Sequence, residues 1–95
     1  MNDGVGPVFR MGAEIDTIVA AIREDNPDRE IEVTDRGAYV RVQARHSLRL
    51  TRETVERNLG RPFEMRELEP MLSAFSGRIS TTSDAVTWEY ARRGK

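Results

Sequence analysis

Cysteine is absent from this chain of 95 residues, and with it go disulfide frameworks, thiolate zinc sites and thiol nucleophiles. Histidine occurs once, as His46. Its neighbour Ser47 does not supply the geometry of a serine triad. The residue three before it is Gln43, so the Glu-x-x-His motif of helix-borne di-iron sites is missing. A lone histidine in a polar turn reads as ordinary surface. No apolar run reaches the ~18 residues that span a bilayer, and the first residues lack the apolar core of a signal peptide; a cytoplasmic location is the expectation. Glycines stand singly at element ends, without the spacing that cradles phosphates. Aromatic residues make up 6%, too few to offer the arginines a platform for stacked bases. An enzyme with its own reactive groups has no residues to stand on.

Charge is plentiful and nearly balanced: 15 basic residues against 16 acidic ones, a net of −1. It is unevenly placed along the chain. From Glu14 to Asp35 eight acids stand against Arg23 and Arg29, whereas Arg36 to Arg52 holds five arginines and no acid. Such runs solvate the faces of a small domain; they can also orient it on a charged partner. Carboxylate pairs such as Glu53/Glu56 and Glu64/Glu67 fall on exposed helix faces and read as solvation.

Taken in order, Val5 to Met11 makes a short strand, with Pro7 placing it at a sheet edge or at the strand's beginning. Ile15, Ile18, Val19 and Ile22 follow the spacing of an amphipathic helix, which Asn26-Pro27 ends near Asp25. Glu30 to Thr34 alternates, pointing Ile31 and Val33 inward. Asp35-Arg36-Gly37 turns a hairpin, and Ala38 to Ala44 returns with Val40 and Val42 inward. Leu48 and Leu50 continue a strand pattern.

Leu48 to Gly77 carries the sharpest local signals. Thr51 is a helix N-cap whose hydroxyl can accept from the N–H of Glu53 or Thr54. Glu53 sits in the first turn, where the helix dipole favours an acid, and pairs in the favourable order with Arg57. Val55 and Leu59 form the apolar stripe, and Gly60 closes the helix in the left-handed conformation. A second helical pattern follows at Met65, Leu68, Met71, Leu72 and Phe75. Pro70 breaks it, so that Met65–Leu68 is one turn and Pro70 opens another as its first residue. After Gly77, a strand over Arg78–Thr81 with Ile79 inward and a strand over Ala85–Tyr90 form a last hairpin. Val86, Trp88 and Tyr90 share its inner face.

The fold class is α+β: two β-α-β-β-like units with helices packed on largely antiparallel sheet, in one domain over residues 1–95. Residues 1–4 and 91–95 are expected to be mobile tails. On residue chemistry alone, a small α+β protein- or nucleic-acid-binding module using the Arg36–Arg52 segment stays open.

One resemblance narrows this. Residues 50–63, Leu-Thr-Arg-Glu-Thr-Val-Glu-Arg-Asn-Leu-Gly-Arg-Pro-Phe, are similar to the effector proteins of soluble di-iron monooxygenases, the MmoB/DmpM family. Val5-Gly-Pro-Val-Phe-Arg-Met-Gly, Asp25-Asn-Pro-Asp-Arg-Glu-Ile-Glu-Val, Asp35-Arg-Gly-Ala-Tyr-Val-Arg-Val, Glu67-Leu-Glu and Phe75-Ser-Gly-Arg-Ile extend it in order over roughly Val5 to Tyr90. Leu-Gly-Arg-Pro-Phe and Val-Gly-Pro resemble the toluene and alkene branch most. The resemblance implies a non-catalytic protein without metal, flavin or other cofactor. It implies docking on the di-iron hydroxylase of the same system, where an effector tunes oxygen activation, substrate access and the coupling of NADH use to product. The oxidised compound would be an alkene, isoprene or an aromatic hydrocarbon. The partner set implied is that hydroxylase, in competition or sequence with its ferredoxin, with no nucleic acid and no membrane, and a monomer when free. By analogy the docking face includes the segments around Gly60, with Asn26, Arg41, Arg45, Arg49, Arg52, Glu56, Asn58, Arg61 and Glu67 as partner-binding residues. Two departures stand out: only four residues precede Val5, and Pro70 occupies a position where relatives keep a helix-compatible residue.

Overall fold

The same path is traced twice along the chain. In the computed structural model, which describes residues 4–90, the first unit comprises β1 (Gly4–Arg10), α1 (Ile15–Asp25), β2 (Glu32–Asp35) and β3 (Tyr39–Arg45). The second comprises β4 (Ser47–Thr51), α2 (Arg52–Leu59), β6 (Arg78–Thr81) and β7 (Ala85–Glu89). In each unit the last strand inserts between the other two, giving β2-β3-β1 and β4-β7-β6, and every pairing is antiparallel. Between α2 and β6 lie a 3-10 helix (Met65–Met71) and β5 (Leu72–Ser76). Strand β5 adds to the first sheet on the free side of β1, making it four-stranded, β2-β3-β1-β5.

That addition corrects the expected place of β1, which is central and not at an edge. Pro7 is tolerated because the ladder to β3 skips it: partners run Val5–Ala44 and then Val8–Arg41, so no N–H is missed there. The neighbouring Gly6 has φ +142°, and a Cβ on it would overlap the Val42 carbonyl oxygen. Gly4, expected in a mobile tail, starts β1; the other expected tail residues lie outside the described residues.

The apolar periodicities find their core. Ile15, Ile18, Ala21 and Ile22 of α1 are buried with Val40, Val42 and Ala44 of β3 and Leu48 and Leu50 of β4. Trp88 is fully enclosed, opposite Leu48 on one side and Ile79 on the other. Tyr90 departs from expectation: β7 ends at Glu89, and Tyr90 is 48% exposed while its N–H donates to the His46 carbonyl at 2.8 Å. Helix α2 matches the caps read from sequence. Thr51 Oγ1 accepts from the Thr54 N–H, and Gly60 closes the helix at φ 74°.

The second helical run does not exist as such. One 3-10 helix spans Met65–Met71 with Pro70 inside it, and Leu72 onward is strand. Met65, Leu68 and Met71 repeat at the three-residue period of a 3-10 helix, and the bulged strand β5 then places Leu72 and Phe75. Two structures in succession thus imitate one α-helical stripe. Among the described residues, no helix is long and apolar enough to cross a membrane.

Candidate docking surface

Helices α1 and α2 are locked to each other and to β4 through the end of α1. The Asp25 carboxylate accepts from the Thr51 N–H (2.7 Å), the Thr51 hydroxyl (3.0 Å) and the Thr54 hydroxyl (2.7 Å). The next residue, Asn26, is only 8% exposed. Its Nδ2 donates to the carbonyls of Ile22 (2.7 Å) and Arg49 (2.6 Å), and its Oδ1 accepts from the Arg49 N–H (3.0 Å). The amide therefore bonds Arg49 on both main-chain atoms, as a neighbouring strand would, and covers an edge that β7 leaves open. Arg29 continues the cover, donating to the Arg45 carbonyl and the Ser47 hydroxyl.

Several residues read from sequence as partner contacts make bonds within the fold. Asn26 is consumed by the lock. Asn58 donates to Glu24 (3.2 Å) and to the Thr54 carbonyl (2.8 Å). Arg61 grips both Glu14 oxygens at 2.9 Å, lies over the Phe63 ring at 5.7 Å and reaches Glu67 at 3.5 Å. Glu56 accepts from the Phe63 N–H (2.9 Å) and pairs with Arg52 (3.5 Å). Glu67 accepts from the Glu64 N–H at 2.8 Å as half of a capping box. The expected Glu53–Arg57 pair is replaced by Arg57–Glu24 at 2.6 Å, between the two helices. This bond, then the one from Asn58, holds the Glu24 carboxyl below its usual range, and Glu14 holds the Arg61 guanidinium above its own.

The arginines Arg41, Arg45, Arg49 and Arg52 are exposed. The fold divides them: Arg41 and Arg45 stand on the four-stranded sheet, Arg49 on the three-stranded one and Arg52 on α2. What is a basic run in sequence is no single stripe in space. Of the acidic run, Glu24 on α1 and Glu14 just before it are spent on Arg57 and Arg61. Among the described residues, no group of three His, Cys, Asp or Glu side chains could hold a metal.

Sequence reading missed an apolar groove on the surface. An open groove of about 270 Å³ lies between the 3-10 helix and the diverging strands β5 and β6, lined by Met65, Leu68, Leu72, Phe75, Ile79 and Val86. Phe75 is 45% exposed at its rim. The groove runs on past the shared residues Met65 and Thr81 into a polar end bounded by Arg52, Glu64 and Arg66. Phe75 and Leu72 were legible as apolar, but their helical spacing assigned them to a core.

Comparisons with known proteins agree in one direction. The MmoB/DmpM family model matches residues 3–89. The alkene monooxygenase system effector subunit of Xanthobacter autotrophicus is 41% identical over 86 residues, 90% of this chain and 85% of that protein. The phenol 2-monooxygenase stimulatory component DmpM of Pseudomonas sp. is 32% identical over 73 residues, 77% of this chain and 79% of that one. A chain in the solved phenol hydroxylase–regulatory protein complex superimposes with a TM-score of 0.83 at 28% identity, covering 93% of this chain and 99% of its own. The soluble methane monooxygenase regulatory protein B shares the fold, with a TM-score of 0.70 at 23% identity, over 94% of this chain and 66% of that chain.

Proposed function

The chain belongs to the MmoB/DmpM family, and from that premise we propose that it is the effector of a soluble di-iron monooxygenase, docking on the hydroxylase to couple NADH use to hydroxylated or epoxidised product. The observation that carries this is the 41% identity to an alkene monooxygenase effector across 90% of the chain. Relatives bear the names effector, stimulatory component and regulatory protein, so the chain acts through another protein's active site. The substrate is a hydrocarbon, alkene or aromatic, and the setting is the cytoplasm, where NADH is supplied.

A protein without reactive groups changes a reaction only by binding one state of the enzyme better than another. About 1.4 kcal/mol of differential affinity shifts that ratio tenfold. The groove supports such selectivity: it offers Phe75 and Leu72 as apolar anchors at one end and Arg52 at the other, the pairing of buried anchor and charged rim that gives affinity and orientation. Its occupant in this reading is the hydroxylase surface, since similar chains have been solved in complex with a hydroxylase. Arg41, Arg45 and Arg49 add charge that steers the encounter. Glu56, Asn58, Arg61 and Glu67 act indirectly, by fixing α2 and the 3-10 helix that form one wall.

The test is a titration of the purified protein into its hydroxylase, reductase and ferredoxin, recording NADH or oxygen consumed per product. The ratio should fall and saturate near one effector per active site. A ratio insensitive to this protein would refute the reading.

A further inference from the structure

Strand β5 contains one residue too many for its partner. Its pairs on β1 run Gly6–Ser76, Pro7–Phe75 and Val8–Ala74, then jump to Phe9–Leu72. Ser73 is therefore the extra residue of a β-bulge. In a regular strand, residues three apart point to opposite faces. The bulge cancels one step of that alternation, and Leu72 and Phe75 both line the groove. The groove's wall thus depends on the bulge being held.

A single side chain holds it from outside the strand. Arg10, the last residue of β1, sends Nη1 to the Pro70 carbonyl at 3.0 Å and to the Leu72 carbonyl at 2.7 Å. These two carbonyls bracket the point at which the 3-10 helix gives way to β5. Bonds from a cation are stronger than neutral ones, and this one spans about sixty residues of sequence at an exposed position.

We propose that Arg10 is a positioning residue, a clamp on the β5 bulge that fixes Leu72 and Phe75 in the arrangement the hydroxylase reads. This rests on the effector reading and on the groove as the docking surface. It gives the exposed guanidinium a task that its surface location conceals: no partner contact of its own, but control over residues that make one.

The experiment compares the full-length wild type with Arg10→Gln and Arg10→Lys by amide hydrogen exchange, by thermal unfolding and in the reconstituted monooxygenase. Arg10→Gln should speed exchange at the β5 amides bonded to β1 about tenfold while the β4–β7 amides keep their protection, as expected of a local opening. The effector concentration giving half-maximal coupling should rise by about tenfold, the equivalent of about 1.4 kcal/mol. Arg10→Lys, which keeps a cationic donor, should recover most of both. The clamp is overturned if Arg10→Gln couples at wild-type concentrations, if both sheets loosen equally, or if the variant fails to fold, since the last two make Arg10 a general stability residue. The wild-type titration separates the two levels: without a wild-type effect the effector reading fails, whereas a wild-type effect shared by Arg10→Gln removes the clamp alone.

Discussion

Replacing Asn26 by Asp changes one atom and should be among the most damaging substitutions available to this fold. In the native protein Nδ2 donates at 2.7 Å to Ile22 and 2.6 Å to Arg49, while Oδ1 accepts from the Arg49 N–H at 3.0 Å. A carboxylate keeps the third bond and sets a charged oxygen against two carbonyl oxygens, at a site 8% exposed. Two lost bonds and a desolvated charge together amount to about 2–4 kcal/mol, or roughly 10–25 °C in melting temperature for a domain of this size. The new carboxyl would be pushed up in the folded state, because its protonated form restores a donor. Its unfolded value is about 3.9. Protonation therefore supports the fold fully below about pH 4, and that support is lost as the pH rises through the raised folded value. Denaturant unfolding of wild type, Asn26→Asp and Asn26→Ala at pH 7 and pH 4.5 reads this directly. The Asp deficit should exceed the Ala deficit at pH 7 and narrow on acidification, whereas the Ala deficit should stay constant. An Asp variant within 0.5 kcal/mol of wild type (about the noise of a surface substitution), or one whose deficit ignores pH, would refute the strand-mimicking role of Asn26.

How far the sequence spoke depended on whether a signal was local. The Thr51 cap, the Gly60 closure and the Gly37 hairpin rest on chemistry within a few residues, and each stands in the structure with its expected geometry. The doubled β-α-β-β path was legible because each unit carries one amphipathic helix and one hairpin. Strand β5 was not, since the apolar positions 65, 68, 71, 72 and 75 satisfy the helical template as well as a 3-10 turn followed by a bulged strand. Only pairing with β1, more than sixty residues upstream, decides between them. The residues around Gly60 were legible as polar or charged but not as bonded within the fold. Arg57 meeting Glu24 joins the two helices and Arg61 meeting Glu14 joins the residues that flank them, so part of the acidic run is neutralised by arginines that lie beyond the basic run.

Three further outcomes follow from the same geometry. Gly60→Ala should cost about 1 kcal/mol, from backbone strain alone, because φ is 74° and nothing lies within 4 Å of the added methyl; thermal unfolding at unchanged coupling checks it. Glu24→Gln should weaken the α1–α2 contact at neutral pH, and the difference from wild type should vanish on acidification. The Glu24 pKa is lowered in the fold by Arg57 and Asn58, so its contribution is present above the unfolded value near 4.3 and is lost as pH falls through the folded one. Gly77→Ala should be worse than Gly60→Ala, for a reason that reaches function. Gly77 has φ +92°, and its added methyl would stand 2.7 Å from both the Glu89 carbonyl oxygen and a Val5 methyl. The first contact is with backbone, which cannot rotate away, so β5 or β6 must shift. These are the strands that diverge from Gly77 to open the groove. Loss of stability beyond about 2 kcal/mol should therefore come with a coupling defect larger than that of any Gly60 variant of equal stability. Stability by denaturant and coupling by NADH per product, measured on both variants, make the comparison. Equal coupling at matched stability would show that the angle between β5 and β6 is irrelevant to docking, and the groove would lose its assigned role.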